Sequence, residues 1–227
     1  MGGKYFSILG DSISTLSGYS EPWDAVFYDA VNKREAMIYA PEDTWWGQVI
    51  AHLGGKLLVN NSISGSTVVR YSSYEAPFYA CSDERTSSLA TGYRTPDVIM
   101  VYIGTNDWGC GARVVPRNSD EEKDLSVFSV AYCAMLEKLK SNYPEAELWC
   151  FTPSVSKCSR RDDFEFPYCY RDKHIEEYCS AIRACAEKYG CRLIDLYRPD
   201  VPYDTFDGFH PNVYGMRTLS EAVISQL

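Results

Sequence analysis

Four short polar segments of this 227-residue chain contain the side chains best suited to chemistry. Ser12 lies in "GDS", Asn106 lies in "GTND", and His210 lies in "DGFHPN", three residues after Asp207. The fourth segment, "NNSISGS", contains Gly65. A serine, a histidine and a carboxylate are residue types that together catalyse acyl transfer. We therefore predict that Ser12, Asp207 and His210 form a catalytic triad.

Each member of this triad has a defined role. Ser12 is the predicted nucleophile, and His210 is the predicted general base, because imidazole exchanges protons near neutral pH. Asp207 would orient the imidazole and stabilise the imidazolium. Attack on an ester creates an oxyanion that requires hydrogen-bond donors. We predict that the backbone N–H groups of Ser12 and Gly65 and the side-chain amide of Asn106 supply them.

Each segment by itself has an ordinary structural interpretation. Gly-Asp-Ser after a strand is typical of a turn and a helix N-cap, and Gly65 could simply permit a tight turn. Asp207 and Gly208 form a common turn dipeptide. The combination is more informative, because His210 alone among the three histidines has a carboxylate three residues before it at the start of a predicted helix.

The elements that would position these residues alternate between strands and helices. Short apolar runs predict strands at 4–10, 56–62, 97–104, 146–153 and 191–196. Longer amphipathic stretches predict helices at 44–54, 119–144, 171–190 and 212–227. This alternation predicts a parallel sheet with helices on both faces, and ligands bind at the carboxyl ends of such strands. Topology would therefore bring the polar segments to one edge of the sheet.

Length and loop content predict one domain over residues 1–227. Two long loops, at about 15–43 and 66–96, are rich in Tyr, Ser and Pro, and we expect them to form the walls of a pocket. Nine cysteines without a CxxC pair favour reduced thiols and give no indication of a zinc site.

The formal net charge of −9 argues against nucleic acid or an anionic membrane surface as the main partner. No apolar stretch approaches the length of a membrane span, and the N-terminus lacks the pattern of a signal peptide. We therefore expect a cytoplasmic protein. The sequence leaves its oligomeric state open.

Together the motifs resemble those of the SGNH hydrolases, also called GDSL esterases or lipases. The matching residues are Ser12 in "GDS", Gly65 in "SISGS", Asn106 in "GTND" and His210 in "DGFHPN", with Asp207 as the Asp of the DxxH motif. One departure is Ile13, which stands in place of the Leu of GDSL. The resemblance implies a flavodoxin-like three-layer α/β/α sandwich with a central, mainly parallel five-stranded sheet. It also implies an acyl-ester hydrolase that needs no metal and no other cofactor.

Our main hypothesis is a serine esterase acting on small acyl esters, with acetyl groups on carbohydrate as one candidate substrate. The carbohydrate part rests on aromatic faces that could stack on sugar rings, although core packing is the alternative; the residues are Trp23, Tyr28, Trp45, Trp46 and Trp108. Asp11, Trp46, Asp107 and Trp108 are the candidate substrate-binding residues. The rival within the class is a lysophospholipase or acyl-thioesterase. The rival of another class is a non-catalytic glycan-binding module on the same fold.

Overall fold

The structure is a computed structural model that describes residues 3–20, 25–71 and 78–227. Its strands are β1 (Tyr5–Gly10), β2 (Lys56–Ser62), β3 (Val98–Tyr102), β4 (Glu147–Phe151), β5 (Ser156–Lys157), β6 (Cys169–Tyr170), β7 (Lys173–His174), β8 (Arg192–Ile194) and β9 (Tyr203–Asp204). Its α-helices are α1 (Asn32–Ala36), α2 (Trp45–His52), α3 (Asp83–Ser87), α4 (Thr105–Cys110), α5 (Phe128–Asn142), α6 (Ile175–Lys188) and α7 (Val213–Ile224). Short 3-10 helices cover Ser12–Ser14, Pro41–Asp43 and Ser119–Lys123.

A five-stranded parallel sheet forms the centre, with the strand order β2-β1-β3-β4-β8. The chain moves from β1 to β2 on one side and then crosses to β3 on the other side, so the direction of winding changes between β1 and β3. Such a change opens a crevice at the carboxyl ends of the two strands. The register aligns Gly10 with both Ser62 and Tyr102, which brings three strand ends to the same level.

Helices cover both faces of the sheet, because its strands carry apolar residues on both sides. On β3, Ile99 and Val101 pack toward α5 and α6 on one face. Val98, Met100 and Tyr102 pack toward α2 and α7 on the other face. The predicted α/β/α sandwich with a five-stranded parallel sheet is therefore confirmed.

The predicted strands and the predicted helices at 44–54 and 212–227 agree with the structure, but the α-helix predicted over 119–144 is wrong for its first nine residues, 119–127. That segment is a 3-10 helix followed by α5, which begins at Phe128. The N–H of Ser126 donates to the Asp124 carboxylate over 2.9 Å, a local turn that competes with helical hydrogen bonding. Arg113 also forms ion pairs with Glu121 and Asp124 and holds the segment in this form.

The helix predicted over 171–190 begins only at Ile175. Before it, Arg171 and Asp172 have φ angles of +47° and +60° and form the two-residue turn of the β6–β7 hairpin. The His174 side chain accepts a hydrogen bond from the N–H of Glu176, so His174 caps the helix instead of lying within it. Within the three described ranges, every helix is too short or too polar to cross a bilayer.

Candidate active site

Ser12 directly follows the end of β1 and begins a single 3-10 turn. Gly10 makes this turn possible, because a Cβ atom there would lie 2.7 Å from Ser62 Oγ and 2.9 Å from Ser14 Cβ. The Asp11 carboxylate accepts the N–H of Ile13 over 3.0 Å and caps the turn. The carbonyl of Ser14 is held by Asn60 Nδ2 over 2.9 Å. These hydrogen bonds hold the turn that carries the Ser12 hydroxyl at the edge of the sheet.

The three predicted triad residues lie together. Ser12 Oγ and His210 Nε2 are 2.9 Å apart, and His210 Nδ1 and Asp207 Oδ2 are 2.7 Å apart. Both contacts are within the range in which a nucleophile, its base and an orienting carboxylate share hydrogen bonds. The arrangement can remove the Ser12 proton as a bond to a substrate carbon forms.

Asp207 is arranged to stay ionised. Its Oδ1 atom accepts the N–H groups of Phe209 and His210 over 2.9 and 2.7 Å, while Oδ2 faces the imidazole. Burial would raise the pKa of Asp207, but the hydrogen bond and charge of His210 and the two N–H groups lower it below the ordinary value. The carboxylate can therefore support a positive charge on the imidazole over a wide pH range.

The His210 ring is fixed from a second side by Phe27. The two rings are stacked with centroids 3.4 Å apart and an angle of 13° between their planes. Phe27 is itself held by a hydrogen bond from its N–H to Thr15 Oγ1 over 3.0 Å. The loop at 15–43 therefore supports the imidazole from behind, and this contribution was not predicted.

Two of the predicted oxyanion donors come from neighbouring segments. Asn106 lies in the first turn of α4, and its Nδ2 atom donates one hydrogen bond to the Ser66 carbonyl over 2.9 Å, which leaves its second hydrogen for a ligand. Gly65 precedes Ser66 and has a φ of +77°, a conformation that favours glycine. Within the described part of the chain, the N–H groups of Ser12 and Gly65 donate to no acceptor.

A cavity of about 260 Å³ opens beside the triad. Ser12, Asn106 and His210 line it, and the remaining lining residues are mostly apolar: Ile13, Thr105, Trp108, Gly109, Tyr170 and Phe209. The expectation that the long loops at 15–43 and 66–96 form its walls is wrong for their described residues, since α4, the β6–β7 hairpin and the Asp207–His210 turn supply the walls instead. Tyr170 and Phe27 are distant in sequence from the triad residues and come near them only in the folded protein. Neither residue lies in a sequence motif that could have identified it.

Of the candidate substrate-binding residues, only Trp108 lines this cavity. Trp46 is buried in the core, where its Nε1 atom donates to the Ser14 carbonyl over 3.1 Å, so it supports the nucleophile turn and has no face for a substrate. Tyr28 and Trp45 are also core residues. Trp23 lies outside the described residues.

Asp11 and Asp107 are buried below the site and hold backbone instead of facing the cavity. Asp107 accepts the N–H of Val68 over 2.9 Å and that of Val69 over 3.0 Å. Burial raises the pKa of Asp107 to about 7, although these hydrogen bonds act in the opposite direction. Burial also raises the pKa of Asp11 to about 6, against the N–H of Ile13 and nearby positive charge. Among the residues that the structure describes, no group of three or more His, Cys, Asp or Glu is arranged to hold a metal ion.

Comparison with known proteins gives a consistent result. A family model described as GDSL-like Lipase/Acylhydrolase matches residues 4–227. The structure of a GDSL-like lipase from Bacteroides uniformis is 30% identical with a TM-score of 0.73, over 100% of this chain and 96% of that chain. One from Bacteroides ovatus is 25% identical with a TM-score of 0.74, over 99% and 98%.

A more distant structure is Est24, a carbohydrate acetylesterase from Sinorhizobium meliloti. It is 14% identical with a TM-score of 0.65, over 98% of this chain and 97% of that chain, a likeness that shows the fold alone. None of the curated proteins matches the sequence.

Proposed function

This chain belongs to the GDSL-like lipase/acylhydrolase family, and on that basis we propose that it is a serine esterase that hydrolyses short-chain acyl esters through an acyl-enzyme. The observation that carries the proposal is the continuous hydrogen-bonded series from Ser12 Oγ through His210 to Asp207, with contacts of 2.9 and 2.7 Å beside a cavity. A non-catalytic glycan-binding module would have no use for this arrangement.

In the acylation step, Ser12 Oγ attacks the carbonyl carbon of the ester while His210 Nε2 takes the hydroxyl proton. Asp207 stabilises the imidazolium that forms. The negative charge on the former carbonyl oxygen is stabilised by the N–H groups of Ser12 and Gly65 and by the Asn106 amide. Collapse of this intermediate expels the alcohol, whose oxygen takes the proton from His210.

The second step returns the enzyme to its starting state. Water enters the position left by the alcohol, and His210 removes a proton from it as it attacks the acyl carbon. The same donors stabilise the second oxyanion. The bond between Ser12 Oγ and the acyl carbon then breaks, and Oγ takes the proton from His210. The carboxylic acid is released.

The cavity supports a small acyl group. Its volume of about 260 Å³ and the rings of Trp108 and Tyr170 in its lining suit a short apolar chain better than a long one. This favours an esterase over a lysophospholipase. A carbohydrate alcohol, as named for Est24, has weaker support, because Tyr28, Trp45 and Trp46 are buried.

A panel of substrates tests the proposal. We expect hydrolysis of p-nitrophenyl acetate and butyrate, much slower hydrolysis of the decanoate, and complete loss of turnover in Ser12→Ala with an unchanged circular dichroism spectrum. Acetylated xylooligosaccharide in the same panel tests the carbohydrate alcohol. Ser17→Ala, an exposed serine in the following turn, is the control. Turnover that survives in Ser12→Ala would reject the nucleophile, and preference for the decanoate would reject the short acyl group.

A further inference from the structure

Arg85 is a fully buried arginine that lies beneath the candidate active site. It belongs to the short helix α3 and is 0% exposed. Its Nη2 atom donates to the carbonyl of Gly10 over 3.0 Å and to that of Asn61 over 2.9 Å, and its Nη1 atom donates to Ser66 Oγ over 2.8 Å. One guanidinium therefore joins the carboxyl ends of β1 and β2 to the segment that follows β2.

These contacts converge on the proposed oxyanion donors. Gly10 is two residues before Ser12, and Ser66 directly follows Gly65. Ser66 is held from two sides, because its hydroxyl accepts from Arg85 and its carbonyl accepts from Asn106 Nδ2 over 2.9 Å. Arg85 is thus connected through Ser66 to the Asn106 amide, and through the backbone to the N–H groups of the other two donors.

We propose that Arg85 is a positioning residue for ester hydrolysis, whose guanidinium holds the Gly65–Ser66 segment and the end of β1 in the geometry that binds the oxyanion. This inference rests on the proposed function. Arg85 lies below the donors and does not line the cavity, so it acts through them and touches no substrate.

The chemistry of the guanidinium fits this role. Its planar fork donates to several carbonyl and hydroxyl oxygens in fixed directions, which a lysine ammonium cannot reproduce. Burying a charge is costly unless it is well hydrogen-bonded. Burial lowers the pKa of Arg85 to about 9, and the nearby Asp11 carboxylate acts in the opposite direction. The Arg85 guanidinium is therefore positively charged at neutral pH. Its charge favours the negative charge of the oxyanion that forms in the proposed reaction.

The test compares catalysis with affinity for an analogue of the oxyanion. We would make Arg85→Lys, which keeps the charge but loses the fork, and Arg85→Met, which loses both. Each is assayed for kcat and KM with p-nitrophenyl acetate. Each is also assayed for inhibition by a short-chain trifluoromethyl ketone, which adds to a catalytic serine as a tetrahedral oxyanion. Arg113→Met is the matched control, because Arg113 is partly buried in ion pairs with Glu121 and Asp124 and does not line the cavity.

We expect kcat to fall about tenfold in Arg85→Lys and about a hundredfold in Arg85→Met, as for loss of oxyanion stabilisation. The inhibition constant of the ketone should rise by the same factors, and KM should change little. Arg113→Met should match the wild type in all three quantities. An Arg85 variant that folds and keeps both kcat and ketone affinity would overturn the proposal. A fall in kcat without loss of ketone affinity would also overturn it.

A second variant covers the case in which Arg85→Met does not fold. Ser66→Ala removes the hydroxyl that Arg85 binds but keeps the backbone carbonyl that binds Asn106. We expect it to weaken ketone binding and kcat together, and to add little to the effect of Arg85→Lys in the double variant. Full additivity would contradict a shared pathway through Ser66. Failure of the wild type to hydrolyse any ester would reject the proposed function instead, which is a separate outcome.

Discussion

At the scale of single residues, a variant of Asn106 tests whether its amide stabilises the oxyanion or binds the substrate. Its amide is oriented by the Ser66 carbonyl, so its free hydrogen has one direction. We expect Asn106→Ala to lower kcat by about 10²–10³-fold with little change in KM. Steady-state kinetics with p-nitrophenyl acetate measures both. A rise in KM with unchanged kcat would identify Asn106 as a ground-state binding residue.

The Asp207 carboxylate should not limit the pH dependence of the reaction near neutrality. Because the pKa of Asp207 lies below its ordinary value, this group stays ionised well into the acid range and loses its charge only when the pH falls below that range. The base must be neutral to accept the Ser12 proton. We therefore expect kcat/KM to reach a plateau at alkaline pH, and to show no loss from protonation of Asp207 until the pH falls below the ordinary range of an aspartate.

Asp207→Asn tests the carboxylate in the same experiment. The plateau of kcat/KM should fall by up to about 10⁴-fold, because the amide cannot hold the required tautomer or support the imidazolium. Circular dichroism provides the control for folding. A plateau equal to that of the wild type would remove Asp207 from the triad.

At the scale of elements, the β6–β7 hairpin contributes the Tyr170 ring to the wall of the cavity. Trp108 Nε1 donates to the Lys173 carbonyl over 3.0 Å, and the ring of Trp108 lies 5.9 Å from that of Tyr170. We expect Tyr170→Ala to enlarge the acyl site and to raise kcat/KM for p-nitrophenyl hexanoate relative to acetate several-fold. Tyr170→Phe keeps the ring and should keep the wild-type ratio. Equal ratios in all three proteins would place the acyl group elsewhere.

The same hairpin shows which elements could not be predicted from the sequence. The strands were predictable because each is a short apolar run that must be buried on both faces. The start of α6 was not, since the cap is a histidine and the preceding turn uses Arg171 and Asp172 in a conformation that favours glycine and asparagine. Contacts with Trp108 and α4, which depend on the tertiary fold, offset this local preference.

At the scale of the whole molecule, the position of the site could be predicted but its lining could not. Parallel strands bring their carboxyl ends to one edge, so Ser12 and Asn106 had to be neighbours once the strand order was known. No such rule applies to Tyr170 or Phe27, whose positions depend on how loops pack. Arg85 also carried no signal, because a single arginine in a polar segment is typical of a surface residue.

The buried carboxyl groups below the site affect the stability of the whole chain. The pKa of Asp107 is about 7 in the folded state, above the value near 4 of an unfolded aspartate. The folded state therefore binds the proton more tightly, and this contribution to stability is present at low pH and is lost as the pH rises toward 7. Asp11, with a pKa of about 6, acts in the same direction.

Asp107→Asn removes this titration while its amide oxygen can still accept the N–H of Val68. We expect the wild type to lose about 2 kcal/mol more unfolding free energy than the variant between pH 5 and pH 8. Chemical denaturation at both pH values, followed by tryptophan fluorescence, measures the difference. An identical pH dependence in the two proteins would show that Asp107 does not titrate in this range.

The stacking of Phe27 on His210 also gives the protein an internal spectroscopic marker. A phenyl ring whose plane lies nearly parallel to the imidazole, with centroids 3.4 Å apart, places the carbon-bound protons of that imidazole in its shielding zone. The ring current should move these proton resonances upfield from those of His52, and also from those of His174, because the ring of Tyr168 that stacks on His174 is farther away, with centroids 5.9 Å apart. The imidazole proposed as the general base could thus be followed by nuclear magnetic resonance without an added label, and any motion that separates the two rings would return its signals toward ordinary positions.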